Sequence, residues 1–292
     1  MTPEREQNGR PEVSITLLTR NAGPLLPRLL DALARQETSR RVEVAAIDSG
    51  STDETVPLLH AHGARVQGIR PEEFCFGRTR DRVFELAAAP IVISLSQDAI
   101  PAHARWLENL IAPLNDPGVA VSCGRSIPDP DRPYRQFNWE RNGYFYFTQE
   151  MRTFVARYGK GLSNANAAYR RDVWERLRFS DQPIAEDCAF QVKLCAEKGV
   201  IAFPQDAPVL HHHAYTLRSL ITRCRNEGYG MRQIGCDYTA ADLAADLFSF
   251  PVCRMWIKEL LRGRMTDPAA IAFPAVRPLA VFWGSRFARR FR

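Results

Sequence analysis

The sequence predicts an α/β fold, a mostly parallel, Rossmann-like sheet with helices on both faces, followed by a helical C-terminal extension. Short apolar runs alternate with segments of helical period over the first hundred residues, and the links between them are short. Such alternation calls for parallel strands joined by helical crossovers, with both sheet faces covered. Asn21, Asp48 and Asp98 stand just past three of the strand ends, and open α/β sheets bind ligands at the carboxyl ends of their strands.

Residues 14–19 (SITLLT) read as the first buried strand. Pro24 opens a helix whose Leu26, Leu29, Leu30 and Leu33 lie on one face. Residues 42–47 form the second strand, ending at Asp48. Ser51-Thr52-Asp53-Glu54 has the S-x-x-E form of a capping box, so a helix is expected to start there. Residues 64–69 give a third strand, 78–88 a third helix, and 91–95 a fourth strand that stops at Ser96-Gln97-Asp98. Beyond Pro101 the pattern loosens. Residues 119–123 read as a strand, 127–160 as a Pro- and aromatic-rich stretch without clear period, and 167–169 as a short strand before a helix over 172–177. A helix over 186–198 is closed by Gly199 at the favoured C-terminal position. Residues 201–203 follow as a strand, then His211-His212-His213. The last 70 residues read as helices broken by prolines.

Composition narrows the function. The chain has 292 residues, enough for one large domain or two small ones, and its 45% hydrophobic and 25% charged content is that of a soluble globular protein. The longest uncharged apolar run, 86–95, is ten residues, against about 20 needed to span a bilayer. The polar N-terminus (MTPEREQNGRPE) carries no apolar stretch, so no secretory signal is expected. Seven cysteines, an odd number without a C-x-x-C pair, point to reduced thiols and a cytoplasmic location. The net charge of +6 is concentrated at one end: from Val252 onward eight arginines and one lysine face only Glu259 and Asp267. A near-neutral body with a basic tail is not the profile of a nucleic-acid binder. No G-x-G-x-x-G, Walker A, G-x-S-x-G or H-E-x-x-H sequence is present, which argues against nicotinamide, P-loop, serine-hydrolase and zincin chemistry.

Four clusters carry chemistry. Asp48-Ser49-Gly50-Ser51 puts an acid at a strand end, where it can accept hydrogen bonds from a base or ribose, or simply cap a turn. Asp98, after Ser96 and Gln97, can hold a divalent cation against a diphosphate, since hard cations take oxygen ligands; alone it is also an ordinary loop acid. Glu186-Asp187 stands at a helix N-terminus, where the dipole stabilises acids and where one carboxylate can act as a general base. His211 and His213 face one side of an extended segment and can contact metal or phosphate together, or sit in a solvated loop.

Their order and spacing resemble the family 2 glycosyltransferases of the GT-A fold, and in particular the bacterial rhamnosyltransferase-like branch. The likeness runs through SITLLTRN, IDSGSTDET, FCFGRTRD, ISLSQDAIPAHARWLENL, SNANAAYRRDVWERLRF, IAEDCAFQVKL and VLHHHAYTL followed by Arg223, from residue 13 to about 228. It implies a GT-A domain over 13–228, with a nucleotide-binding half (13–100) and an acceptor and catalytic half (101–228). A flexible segment, 1–12, precedes it and a basic helical extension, 229–292, follows. By the same resemblance Thr19, Asn21 and Asp48 contact the donor's base and ribose, with Gln97 beside them. Arg78 and Arg80 lie near the diphosphate or order the pocket. Asp98 matches the last acid of the D-x-D element and binds Mg²⁺ or Mn²⁺ with His211 and His213. Asp187 is the base of an inverting transfer, next to Glu186. The first acid of D-x-D is Ser96 here, Phe76 stands where relatives often carry His, and Asp81 where they carry Asn.

The expected donor is a dTDP- or UDP-sugar, with rhamnose the sugar the resemblance points to. The expected acceptor is a saccharide or a polyprenyl-linked saccharide in bacterial surface polysaccharide synthesis. Aromatic residues Tyr134, Phe137, Trp139, Tyr144, Phe145, Tyr146 and Phe147 suit a sugar or lipid, or ordinary packing. In the tail Leu279, Trp283, Phe287 and Phe291 share a helical face flanked by Arg286 and Arg289, with Arg290 intruding, which suits contact with the inner face of the plasma membrane. Two other readings stay open at this stage: a nucleotidyltransferase, and a non-catalytic sugar-nucleotide-binding protein.

Overall fold

The first strand, β1 (Val13–Thr19), is buried along almost its whole length, and its alternating Val13, Ile15 and Leu17 enter one core layer. The opposite side of the strand is polar. Its Ser14 accepts from the Ala89 N–H at 3.0 Å, and Thr16 donates to the Ile93 carbonyl at 2.7 Å, so neither buried hydroxyl lacks a partner. The computed structural model describes residues 9–130, 139, 143–211, 213–265 and 267–289.

Chain contacts divide the protein into two units. The first comprises residues 1–128, 162–181 and 186–211. Its strands β2 (Val42–Asp48), β3 (Arg65–Gly68), β4 (Ile91–Ser96), β6 (Val119–Cys123), β8 (Asn166–Arg170) and β9 (Val200–Ala202) join β1 in a seven-stranded sheet of order β3-β2-β1-β4-β8-β6-β9. The pairs β1–β2, β1–β4, β2–β3 and β6–β9 are parallel, whereas β8 runs antiparallel to both its neighbours. One face packs around Leu26, Leu29, Trp106 and Leu110. The other packs around Phe84, Tyr169, Trp174, Phe179 and Phe190. A small second sheet pairs β10 (Val209–Leu210) with β5 (Ile100–Pro101) and β7 (Ser126–Ile127).

Two helix starts and two helix ends differ from the sequence expectation. No capping box forms at Ser51. The helix is Thr55–Ala61, Asp53 takes the Thr55 N–H and hydroxyl, and Ser51 turns instead toward Asp48 and Asn21. The third helix is Phe76–Leu86, two residues earlier than expected. It stops before Ala88 and Ala89 because their N–H groups donate to Glu43 and Ser14. The helix Glu186–Ala196 ends with Lys198, not Gly199, in the left-handed region (φ 59°). Gly199 is needed for space, since an added Cβ would lie 2.2 Å from the Leu194 side chain.

The second unit comprises residues 129–161, 182–185 and 212–292, so the observed division does not follow residue 228. It holds helices Gln149–Tyr158, Leu217–Gln233, Ala240–Leu247, Phe250–Leu261 and Pro268–Phe287. The prolines do not break the last of these: Pro274 and Pro278 lie inside it. Pro274 has no N–H to give the Ala270 carbonyl, and the Trp139 indole N–H donates there at 2.8 Å instead. Leu217–Gln233 and Pro268–Phe287 touch backbone to backbone: a Cβ on Gly228 would lie 2.1 Å from the Val281 carbonyl oxygen, and one on Gly284 1.9 Å from that of Arg225. Beside this contact Arg277 is fully buried, bonded to Glu227 at 2.5 Å and to Thr148 at 3.2 Å, with Glu150 4.0 Å away. Burial pushes the Glu150 carboxyl up to about 7 despite Arg277. Leu279, Trp283 and Phe287 are exposed, as the tail pattern requires, whereas Arg290 and Phe291 lie outside the described residues, as do Tyr134 and Phe137. Among the described residues no helix is long and apolar enough to cross a membrane.

Candidate active site

The carboxyl ends of β1, β2 and β4 share one sheet edge because the parallel register sets Thr19 opposite Asp48 and Leu18 opposite Ser96. Asp48 organises the loop that follows. Its Oδ1 accepts from the Thr19 and Ser51 hydroxyls at 3.0 and 2.5 Å, and its Oδ2 from the Gly50 and Ser51 N–H groups at 3.1 and 2.8 Å. A carboxylate offers about four lone-pair sites, so this loop fills them. Gly50 makes the turn at φ 84°, a region that L-residues occupy only with strain.

Asn21 is also left-handed (φ 46°); its N–H donates to the Ser51 Oγ and its Oδ1 accepts from the Thr52 N–H, each at 2.8 Å. Gln97 accepts from the Arg20 N–H at 2.9 Å and donates back to the Arg20 carbonyl at 3.3 Å. The three strand-end loops are therefore locked to one another, with Thr19, Asn21, Asp48 and Gln97 brought together.

Asp98 meets His211 through the small sheet. Antiparallel pairing sets Leu210 opposite Ile100, so the next residue on β10's side, His211, arrives beside the turn that carries Asp98. Its Nε2 lies 3.3 Å from the Asp98 Oδ1. His213, two residues on, belongs to the second unit, where its ring stacks on Tyr215 with centroids 5.4 Å apart.

The Glu186-Asp187 pair is built more elaborately than its sequence suggests. Arg80, buried, donates to the Glu186 Oε1 at 3.0 Å and to the Ser94 Oγ at 2.6 Å. Ser94 donates in turn to the Asn164 carbonyl at 2.7 Å, and the Asn164 side-chain amide donates to Glu186 at 2.9 Å. The Tyr169 hydroxyl fixes Asn164 by donating to its Oδ1 at 2.6 Å. Asp187 accepts the Cys188 N–H at 2.8 Å and the Asn164 N–H at 3.3 Å. Burial, then the neighbouring Glu186 charge, pushes the Asp187 carboxyl up to about 6, while the two N–H donors and Arg80 pull only part of the way back. A carboxylate so placed is still ionised at neutral pH and is more basic than an ordinary aspartate. Ala185, just before it, is left-handed at φ 57°, a strained backbone of the kind found at functional sites.

Arg78 and Arg80 part company. Arg80 is enclosed by its bonds, whereas Arg78 is largely exposed, 3.7 Å from Asp181, on a cleft of about 250 Å³ lined also by Ile69, Glu73, Thr79 and Arg82. Asp81 is occupied by the Trp174 indole at 2.8 Å and the Phe179 and Ser180 N–H groups at 2.9 and 2.8 Å. Phe76 packs edge-on against Phe74. Sequence reasoning missed Ser94, Asn164 and Tyr169 as site builders. The one available signal was a hydroxyl inside the apolar run IVISL, since a buried polar side chain needs a partner.

The family model for glycosyl transferase family 2 matches residues 14–178, more than half of the chain. The chain belongs to that family. The O-antigen chain rhamnosyltransferase RfbN of Salmonella typhimurium is 34% identical over 226 residues, covering 74% of this chain and 71% of that protein. The O-antigen chain rhamnosyltransferase WbaN of Salmonella anatum is 30% identical over 226 residues, 75% of this chain and 71% of its own.

Solved structures share the GT-A architecture. A Pyrobaculum calidifontis mannosyltransferase in complex with GDP-Man and Mn²⁺ aligns with a TM-score of 0.66 at 19% identity, over 96% of this chain and 88% of that one. The Mycobacterium tuberculosis glucosyl-3-phosphoglycerate synthase with Mn²⁺ and UDP-Glc aligns with 0.61 at 19% identity, over 81% and 83%. At such identities the likeness establishes the fold alone. Family membership sets aside the nucleotidyltransferase reading: the chain is a family 2 glycosyltransferase.

Proposed function

We propose that this glycosyltransferase carries out an inverting, metal-dependent transfer of a sugar, rhamnose by its relatives, from a nucleoside diphosphate to a saccharide or polyprenyl-linked saccharide. The observation that carries the reading is Asp187, held by the Cys188 and Asn164 N–H groups beside a rigid Arg80–Glu186–Asn164 frame; burial there pushes its carboxyl up. An acceptor hydroxyl is a poor nucleophile and needs a positioned base. Its oxygen attacks the anomeric carbon from the face opposite the diphosphate as the bond to the phosphate oxygen breaks. The hydroxyl proton passes to the Asp187 carboxylate, the nucleoside diphosphate leaves, and the configuration inverts.

The donor's base and ribose lie at the ends of β1, β2 and β4, against Thr19, Asn21 and Gln97. Asp48 shapes that loop, and its carboxylate contacts a donor only when the Ser51 hydroxyl turns away. Of the two arginines, Arg78 is the one open to a diphosphate. Asp98 and His211 fit a divalent cation: neighbouring ligands on an octahedral ion with bonds of about 2.1 Å lie about 3 Å apart, and their atoms are 3.3 Å apart. Imidazole beside carboxylate favours Mn²⁺ over Mg²⁺. A bound ion supplies charge stabilisation to the departing diphosphate.

Relatives that are O-antigen chain rhamnosyltransferases favour a lipid-linked acceptor, with transfer on the cytoplasmic side of the membrane and the exposed Trp283–Phe287 face touching the bilayer. Transfer from dTDP-rhamnose onto a polyprenyl-linked saccharide, followed by NMR of the new linkage, tests the reading. An inverted anomeric centre formed only with Mn²⁺ or Mg²⁺ supports it. A retained configuration, or equal rates with the metal chelated, overturns it.

A further inference from the structure

We infer that the helix Phe250–Leu261, in addition to the terminal helix, is a lipid-contacting face that seats the second unit on an anionic bilayer; this deepens the membrane side of the reading above. Residues seven and eleven apart return to nearly the same side of an α-helix, within about 40°, so Phe250, Ile257 and Leu261 form one stripe. All three are exposed, at 73%, 50% and 83%, and Phe248, just before the helix, is 83% exposed. The opposite side is the packed one. Val252 and Glu259 are buried there, and the Trp256 indole donates to the Ile271 carbonyl at 3.0 Å.

Large apolar side chains left in water along one line call for a cover. The charges beside the stripe decide which. Arg254 and Lys258 are exposed and lie next to it, four residues on from Phe250 and from Arg254 respectively, and Arg262 and Arg264 follow within three residues of its end. Against these stands one acid, Glu259, which holds Arg262 and Arg264 at 3.5 Å each. A second copy of the chain docked stripe to stripe would bring these cations together. An anionic lipid surface accepts the apolar stripe and neutralises its basic flank, the pattern of an interfacial amphipathic helix.

The test is co-sedimentation of the full chain with vesicles of phosphatidylethanolamine and phosphatidylglycerol at about three to one, and with pure phosphatidylcholine. Two variants are compared with the wild type, Phe250→Ser/Leu261→Ser and Trp283→Ser/Phe287→Ser, each checked for an unchanged melting temperature. Because all four side chains are exposed, folding should survive. Removing the stripe is expected to lower partition onto the anionic vesicles by about tenfold or more, with little binding of any form to phosphatidylcholine.

The inference is overturned if the stripe variant sediments like the wild type while Trp283→Ser/Phe287→Ser is released. In that case the terminal helix alone holds the membrane and the broader reading survives. It is also overturned if light scattering shows a dimer that the stripe variant converts to monomer. If the wild type never sediments, membrane contact by either helix is refuted.

Discussion

Replacing Asp187 by Asn should kill transfer and stabilise the protein, and the size of the gain follows from the site. Burial and Glu186 carry the carboxyl from its ordinary 3.8 to about 6. The folded state thus binds this proton more tightly than the unfolded chain does. Its contribution to stability is greatest below 3.8, falls as pH rises toward 6, and is constant above. At about 1.4 kcal/mol per pH unit, ionised Asp187 costs the folded state about 3 kcal/mol at pH 8. Asparagine abolishes that cost but keeps only one acceptor oxygen for the Cys188 and Asn164 N–H groups, a loss of about 1 kcal/mol. The net gain is about 2 kcal/mol at pH 8, or a rise of about 4–8 °C in melting temperature. It shrinks to well under 1 kcal/mol at pH 5, where the wild-type carboxyl is mostly protonated. Calorimetry at the two pH values measures the difference, and turnover should fall by about 10²–10⁴-fold alongside. A variant that is less stable than the wild type at pH 8, or that differs from it equally at both pH values, refutes the strained-base argument.

Other consequences follow from the same contacts. Glu186→Gln removes the like charge beside Asp187, so the acid limb of the kcat/KM profile should drop below 6. A fall of one pH unit raises the ionised fraction at pH 5 about fivefold, whereas an unmoved limb would separate Glu186 from the base. Arg277→Met takes the cation from buried Glu150 and one of two from Glu227, which keeps Arg223 at 2.8 Å, and should cost about 3–5 kcal/mol in denaturant unfolding; a cost below about 1 kcal/mol contradicts the role of this network. Gly228→Ala drives a Cβ to 2.1 Å from the Val281 carbonyl, so thermal unfolding should show a loss of at least about 1–3 kcal/mol.

The half of the fold proposed to bind the donor was legible because its signals are local. The apolar runs around Ile15, Ala46 and Ile93 are buried strands whose period-two and all-apolar patterns survive any tertiary context. Asp48 and Asp98 then follow as the polar residues that end them. What the sequence hid are partners far apart in the chain. Arg80 and Glu186 are 106 residues apart, and nothing near either says that they pair. The S-x-x-E motif at Ser51 misled because Asp48 and Asn21, supplied by neighbouring strand ends, compete for the same hydroxyl. The prolines of the last helix looked like breaks because the group that caps the freed carbonyl, Trp139, comes 131 residues earlier.

The donor site proposed above depends on a cation held by Asp98 and His211. Thermal unfolding with dTDP, UDP and GDP, each with and without Mn²⁺, addresses it most directly in the wild type and in Asp98→Ala. A nucleotide at about 100 times its dissociation constant adds about 2.7 kcal/mol of stability. That gain is expected for one nucleotide, only with Mn²⁺, and is expected to be lost in Asp98→Ala. Equal stabilisation without the metal, or in the variant, would contradict it.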